Sequence, residues 1–258
     1  MGIERIEEDR VMVDEKVLAR VYLHAVLPCL AIITGNNNAA QKIAERFNGT
    51  ISFMVGLSGP RATLTIKDSV LTFVPWKIPR PDITLFFLND KMVNRLFSGH
   101  APGFVLPIKG ITKINGFLTL IKLLKLMEDI LQKDGGNNEL KARAMLHIMA
   151  RAMAVVAVHE KESRTHAQHL KGSAEIAIRG LDTVHVDFTG ETASFHPGNA
   201  QDPEFSLTFS SGDVFLGVAN DTIDVMAAVC LEDMTLKGNL HMGQTIDILL
   251  DKIGRYLR

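Results

Sequence analysis

Pro81-Asp82-Ile83-Thr84-Leu85-Phe86-Phe87 and, 122 residues later, Pro203-Glu204-Phe205-Ser206-Leu207-Thr208-Phe209 are two versions of one strand. Each follows a proline. Each keeps apolar residues at alternate positions: Ile83, Leu85 and Phe87, then Phe205, Leu207 and Phe209. A two-residue period separates the two faces of a strand, so one face is apolar in both versions. The other face reads Thr84, Phe86, Leu88 in the first version and Ser206, Thr208, Ser210 in the second.

The same offset carries outward. It pairs Leu64 with Val186, Ile66 with Phe188, Phe73 with Phe195, Ile114 with Leu236, Gly116 with Gly238, Leu124 with Ile246 and Asp129 with Asp251. Upstream the offset becomes 123 and pairs Arg20 with Arg143, Leu23 with Leu146, His24 with His147 and Gly49 with Gly172. One insertion or deletion near Gly59-Pro60 accounts for the change. The period is a whole small domain, so the pattern is a tandem duplication and not a solenoid. The expected domains are 1–134 and 135–258.

Both copies spell the same elements. A long apolar helix (14–34, then 139–159) precedes a shorter polar one (39–47, then 164–170). Pro28 is expected to kink the first. Three alternating strands follow at 50–55, 61–67 and 70–75, then 173–178, 184–189 and 192–196. After the fourth strand come short helices at 90–97 and 212–219. A fifth strand ending at Gly116 or Gly238 precedes a terminal helix (117–132, then 239–257). The fold class is therefore α+β: two similar domains, each a five-stranded, mainly antiparallel sheet covered by helices, with a long helix added before each. In the first copy the terminal helix carries Phe117, Leu118, Leu120, Ile121, Leu123, Leu124, Leu126, Met127, Ile130 and Leu131. That is wider than the stripe by which a surface helix meets one core. Its second side needs the other copy, an apolar ligand or a partner.

This order resembles the sterol carrier protein type 2 (non-specific lipid-transfer) family. The matching stretches are Pro81 to Phe87, Asn94-Arg95-Leu96-Phe97-Ser98-Gly99 and Thr112-Lys113-Ile114-Asn115-Gly116-Phe117-Leu118. In the second copy they are Pro203 to Phe209 and Met234-Thr235-Leu236-Lys237-Gly238-Asn239-Leu240. The resemblance spans about 42–131 and 166–253. It implies a tunnel between sheet and helices for lipids, acyl chains or sterols. The expected lining is Leu85, Phe87, Met92, Leu96, Phe104, Leu120 and Leu124 in the first copy. In the second it is Leu207, Phe209, Val214, Val218, Met226, Met242 and Ile246. Plain core packing accounts for the same residues, and so does a structural pseudo-dimer with vestigial cavities.

Nothing points to catalysis. The chain has no phosphate-binding glycine loop, no HExxH and no paired CxxC. His166 and His169 share a helical face, but their segment is polar and reads as solvated. His24 and His147 occupy equivalent places on apolar helices, where a ligand-binding role and a satisfied buried histidine both fit. Ser98 and Ser163 have no neighbour that would activate them. The expectation is a protein that is not an enzyme, with no cofactor and no metal.

Cys29 and Cys230 are too few for a disulfide framework, and residues 1–15 form an acidic leader without an apolar core. Both suggest a cytoplasmic setting. Net charge is −1, but residues 1–134 hold 17 basic and 13 acidic residues, and residues 135–258 hold 11 and 16. The basic first copy suits either transient contact with an anionic membrane surface or docking onto the acidic second copy. Trp76, beside Lys77 and Arg80, fits an interfacial anchor or loop packing. The expected partners are a hydrophobic lipid or acyl ligand and such a membrane. Self-association into a homodimer is compatible, and no nucleic acid is expected.

Overall fold

The computed structural model describes residues 13–98, 106–109 (backbone), 113–132 and 136–257. The boundary at 134/135, Gly99 and Phe104 lie outside them.

The first copy opens with α1 (Glu15–Val21), a π-helical turn (Tyr22–Val26) and α2 (Cys29–Asn36), which run on as one long helix. Asp14 caps it by accepting from the backbone of Lys16 and Val17. The π turn answers Pro28. A proline ring clashes with the carbonyl four residues back, and the widened turn, in which Leu27 N donates to Tyr22 O at 2.8 Å, absorbs it. Then come α3 (Asn38–Ala44), β1 (Gly49–Val55), β2 (Arg61–Lys67), β3 (Val70–Val74), β4 (Ile83–Phe87), α4 (Asp90–Phe97), β5 (Leu106–Lys109) and α5 (Ile114–Gln132).

The second copy repeats the order: α6 (Asn138–His159), α7 (Lys161–Ala167), β6 (Gly172–Ile178), β7 (Asp182–Phe188), β8 (Ala193–Pro197), β9 (Phe205–Phe209), α8 (Gly212–Ala219), α9 (Val225–Cys230), β10 (Met234–Gly238) and α10 (Leu240–Leu257).

The two sheets have one topology. The first runs β3-β2-β1-β4-β5, and the second, read from its far edge, runs β8-β7-β6-β9-β10. In each, the middle pair is parallel (β1 with β4, β6 with β9) and the rest are antiparallel. The pairing registers also coincide. Ile51 faces Leu64 and Ile83, while Ala174 faces Val186 and Phe205. Gly49 and Gly172 are kept at the strand start for a steric reason. A Cβ on Gly172, whose φ is +104°, would lie 2.3 Å from Glu204 Cγ, and one on Gly49 would lie 2.9 Å from Asp82 Oδ2.

The fifth strand corrects the sequence reading. In the first copy it is Leu106–Lys109, and Ile114 already begins α5. Gly116 is therefore helical, whereas Gly238 ends β10 at φ +100°. The residue doing Gly116's work is Gly243. A Cβ on Gly116 would meet Ile83 Cδ1 at 2.5 Å, and one on Gly243 would meet Phe205 Cε2 at 2.7 Å. Both glycines let the terminal helix approach the first residue of the fourth strand.

Helices cover one face of each sheet, and the two long helices pack on each other between the copies. Val17, Val21 and Ala25 of the first copy join the core of the second, while Ala144 and Ile148 of α6 join the core of the first. Alanines at 142, 144, 150, 152, 154 and 157 keep α6 slim where it is buried on several sides. The long helices Glu15–Asn36 and Asn138–His159 are long and apolar enough to cross a bilayer, yet 67% and 61% of their apolar windows are buried in this fold.

Candidate functional site

The expected lining residues separate into three groups. Leu85, Phe87, Leu120, Leu207, Phe209, Met242 and Ile246 are buried in the two continuous cores. Met92, Leu96, Leu124, Val214 and Val218 are half-buried against those cores. Met226 is exposed on α9. Phe104 falls outside the described residues. The structure thus brings most of these side chains together, but as packed interior.

The open apolar place is next door, at the edge strand of the second sheet. Leu236 on β10 pairs directly with Leu207 on β9. Residues opposite each other in an antiparallel pair point to the same face, so Leu236 lies on the helix-covered face. Leu207 there is 6% exposed and Leu236 is 46% exposed. The helical layer stops short of the edge. Val225 and Met226 of α9, Leu231 after it, and Leu240 at the start of α10 are also exposed.

Local chemistry fixes this rim. Asp224 caps α9 through Ala227 N at 2.8 Å. Asn239 caps α10 by accepting from His241 N at 2.9 Å and Met242 N at 3.2 Å, while its own N–H donates to Glu204 O at 2.7 Å. Asp233 accepts from the Ser210 backbone and hydroxyl by way of the turn at Glu232, which has φ +60°. The apolar run Val225-Met226-Ala227-Ala228-Val229-Cys230-Leu231 was the available sequence signal for this site. It is too short and too uniformly apolar to show a period.

The first copy exposes apolar side chains on its terminal helix. Ile114, Phe117, Leu118 and Ile121 follow the spacing of one helical face. Lys113, just before them, pairs with Asp82. That ammonium, helped by hydrogen bonds from Thr50, holds the Asp82 carboxyl below the ordinary carboxylate range.

The equivalent histidines hold structure. His24 Nε2 lies 3.0 Å from Arg61 O and His147 Nε2 lies 3.1 Å from Asp182 Oδ2, so each ties its long helix to the start of the second strand. Burial lowers both pKa values, and in His147 the Asp182 carboxylate partly offsets it. Ser163 is buried in the first turn of α7, whose cap is Glu160. Among the described residues no group of three or more His, Cys, Asp or Glu is placed to hold a metal ion.

A concavity of about 560 Å³ lies on the outer face of the first sheet. Its lining is Met54, Arg61, Lys77, Ile78, Pro79, Arg80, Pro81 and Thr84.

No family model and no curated protein matches this sequence. Solved structures do. Sterol carrier protein domain 2 of Helicoverpa armigera is 12% identical, with 47% of this chain and 94% of that one covered and a TM-score of 0.36. A sterol carrier protein 2 crystal structure is 18% identical, covering 42% and 93%, with a TM-score of 0.33. Sterol carrier protein 2 from Yarrowia lipolytica, in its apo form, is 13% identical, covering 39% and 92%, with a TM-score of 0.31. Each match takes in nearly all of the other chain and less than half of this one, the length of a single copy. The chain is a tandem duplication by its own sheet topology, and a part of it one copy long is similar to solved sterol carrier protein 2 structures.

Proposed function

We propose that this protein is a non-enzymatic binder and carrier of a hydrophobic ligand, a fatty acyl lipid or a sterol-like molecule. Uptake takes place beside the edge strand of the second copy. The observation that carries this reading is Leu236, an apolar side chain on the core face of the sheet that the helices leave 46% exposed. Clustered apolar exposure of this kind marks a binding surface more often than scattered leucines do. Each methylene taken out of water there contributes about 0.8 kcal/mol, so no reacting group is needed for affinity. The first copy, with its basic surplus, makes the transient contact with an anionic membrane from which ligand is collected. Two unbridged cysteines, one buried and one exposed, suit a reducing, cytoplasmic setting.

A second reading has its own support. The long helices contribute to each other's cores, as a purely structural pseudo-dimer would require. Displacement of a fluorescent fatty acid separates the two. Leu236→Asp and Leu240→Asp place charges at exposed positions, so they should stay folded and lose uptake. Full uptake by both variants would overturn the site, and no uptake by the parent protein would favour the structural module.

A further inference from the structure

We infer that the outer cleft of the first copy is a binding site for the phosphate-bearing headgroup of an anionic membrane lipid. This rests on the membrane-contact part of the proposed function and is independent of the apolar rim on the second copy.

The segment after β3 folds back across the outer face of the first sheet and is pinned there. Thr63 Oγ1 donates to Trp76 O at 2.8 Å, Ile78 N reaches Thr63 Oγ1 at 3.4 Å, and Ser52 Oγ lies 2.8 Å from Thr63 Oγ1. Ser52 and Thr63 are fully buried beneath it. The cleft so formed presents Arg61, Lys77 and Arg80. Among the described residues none of the three is paired with a carboxylate; Arg61 Nη2 donates to Leu57 O at 2.9 Å. Three cations over apolar Met54, Ile78 and two prolines suit a phosphate with a hydrocarbon attachment. Trp76, 59% exposed, lies in the same segment, and Leu57, 88% exposed, lies in the turn whose carbonyl holds Arg61. Indole and leucine beside lysine and arginine match the interfacial zone of a bilayer.

Arg80 sits at a turn with φ +53°, just before Pro81. The second copy is a built-in control. Its corresponding residue, Asp202, also precedes a proline and has φ +63°, so the turn is retained while the charge is reversed. The other counterparts are Gly180 for Leu57, Thr183 for Arg61, Gly198 for Trp76 and Asn199 for Lys77. The chemistry is confined to one copy although the backbone is shared.

Trp76 is the only tryptophan, so its fluorescence reads this site directly. The full chain is mixed with phosphatidylcholine vesicles with and without phosphatidic acid, and with inorganic phosphate or glycerol 3-phosphate alone. A blue shift and co-sedimentation specific to phosphatidic acid vesicles are expected. The double variant K77N/R80D, which copies the second copy and keeps a residue tolerant of positive φ at position 80, should partition roughly a hundredfold more weakly. Its melting temperature and fluorescent fatty-acid uptake should not change. Equal partitioning of parent and variant, or a shift with phosphatidylcholine alone, overturns the site. A shift produced by soluble phosphate but not by vesicles overturns the membrane headgroup as its ligand.

Discussion

Ala144 sits on α6 where the second copy's helix enters the first copy's core. It is fully buried, and its carbonyl oxygen lies 3.8 Å from Cys29 Sγ on α2. Ala144→Leu adds three carbons at a helix–helix contact with no room for them. Overpacking of this kind costs about 1–3 kcal/mol. In a chain of this size each kcal/mol moves the melting temperature by roughly 2–4 °C. A drop of several degrees is therefore expected in calorimetry, with a matching shift of the urea midpoint. Leu57→Ala, at an 88% exposed position, should change stability by no more than about 0.5 kcal/mol. Because each core contains side chains of the other copy, both halves should melt in one transition, and Ala144→Leu should move that transition as a whole. Two separate transitions with only one shifted, or no shift, would refute the shared core.

Other outcomes follow from single residues. Cys29 is buried, and burial pushes its thiol up to about 12, whereas Cys230 is exposed; native alkylation followed by mass spectrometry should give one adduct, on Cys230. His24 and His147 are both held below the ordinary 6.5 by burial. On acidification the unfolded chain takes up these protons first, so stability should fall as pH drops below about 6.5 and level off only once the folded-state values are passed. A urea midpoint unchanged between pH 7 and 5 would contradict this. Gly238→Ala forces a Cβ to 2.1 Å from Glu204 O at φ +100°, and a loss of roughly 1–3 kcal/mol should appear in thermal melts.

The duplication was readable in sequence because it leaves a trace in every element. The offsets of 122 and 123 reappear in the pairing of Leu64 with Ile51 and of Val186 with Ala174. The fifth strand was not readable, because Leu106–Lys109 is short and carries Pro107, while Ile114 and Gly116 copy the spacing of a strand end although they are helical. Pro28 signalled a helix distortion but not its form. Alternation in the sequence marks the apolar face of a strand, yet it cannot separate a residue beneath the helices from one beyond their reach. Leu207 and Leu236 share a face and a residue type, and only tertiary coverage distinguishes them.

Native mass spectrometry of the full chain, purified without detergent, reads ligand binding directly. An apolar adduct of lipid mass is expected on the parent protein and should disappear in Leu236→Asp while the folded charge-state envelope is kept. An adduct-free parent protein that also fails to take up added fatty acid would contradict the proposed binding.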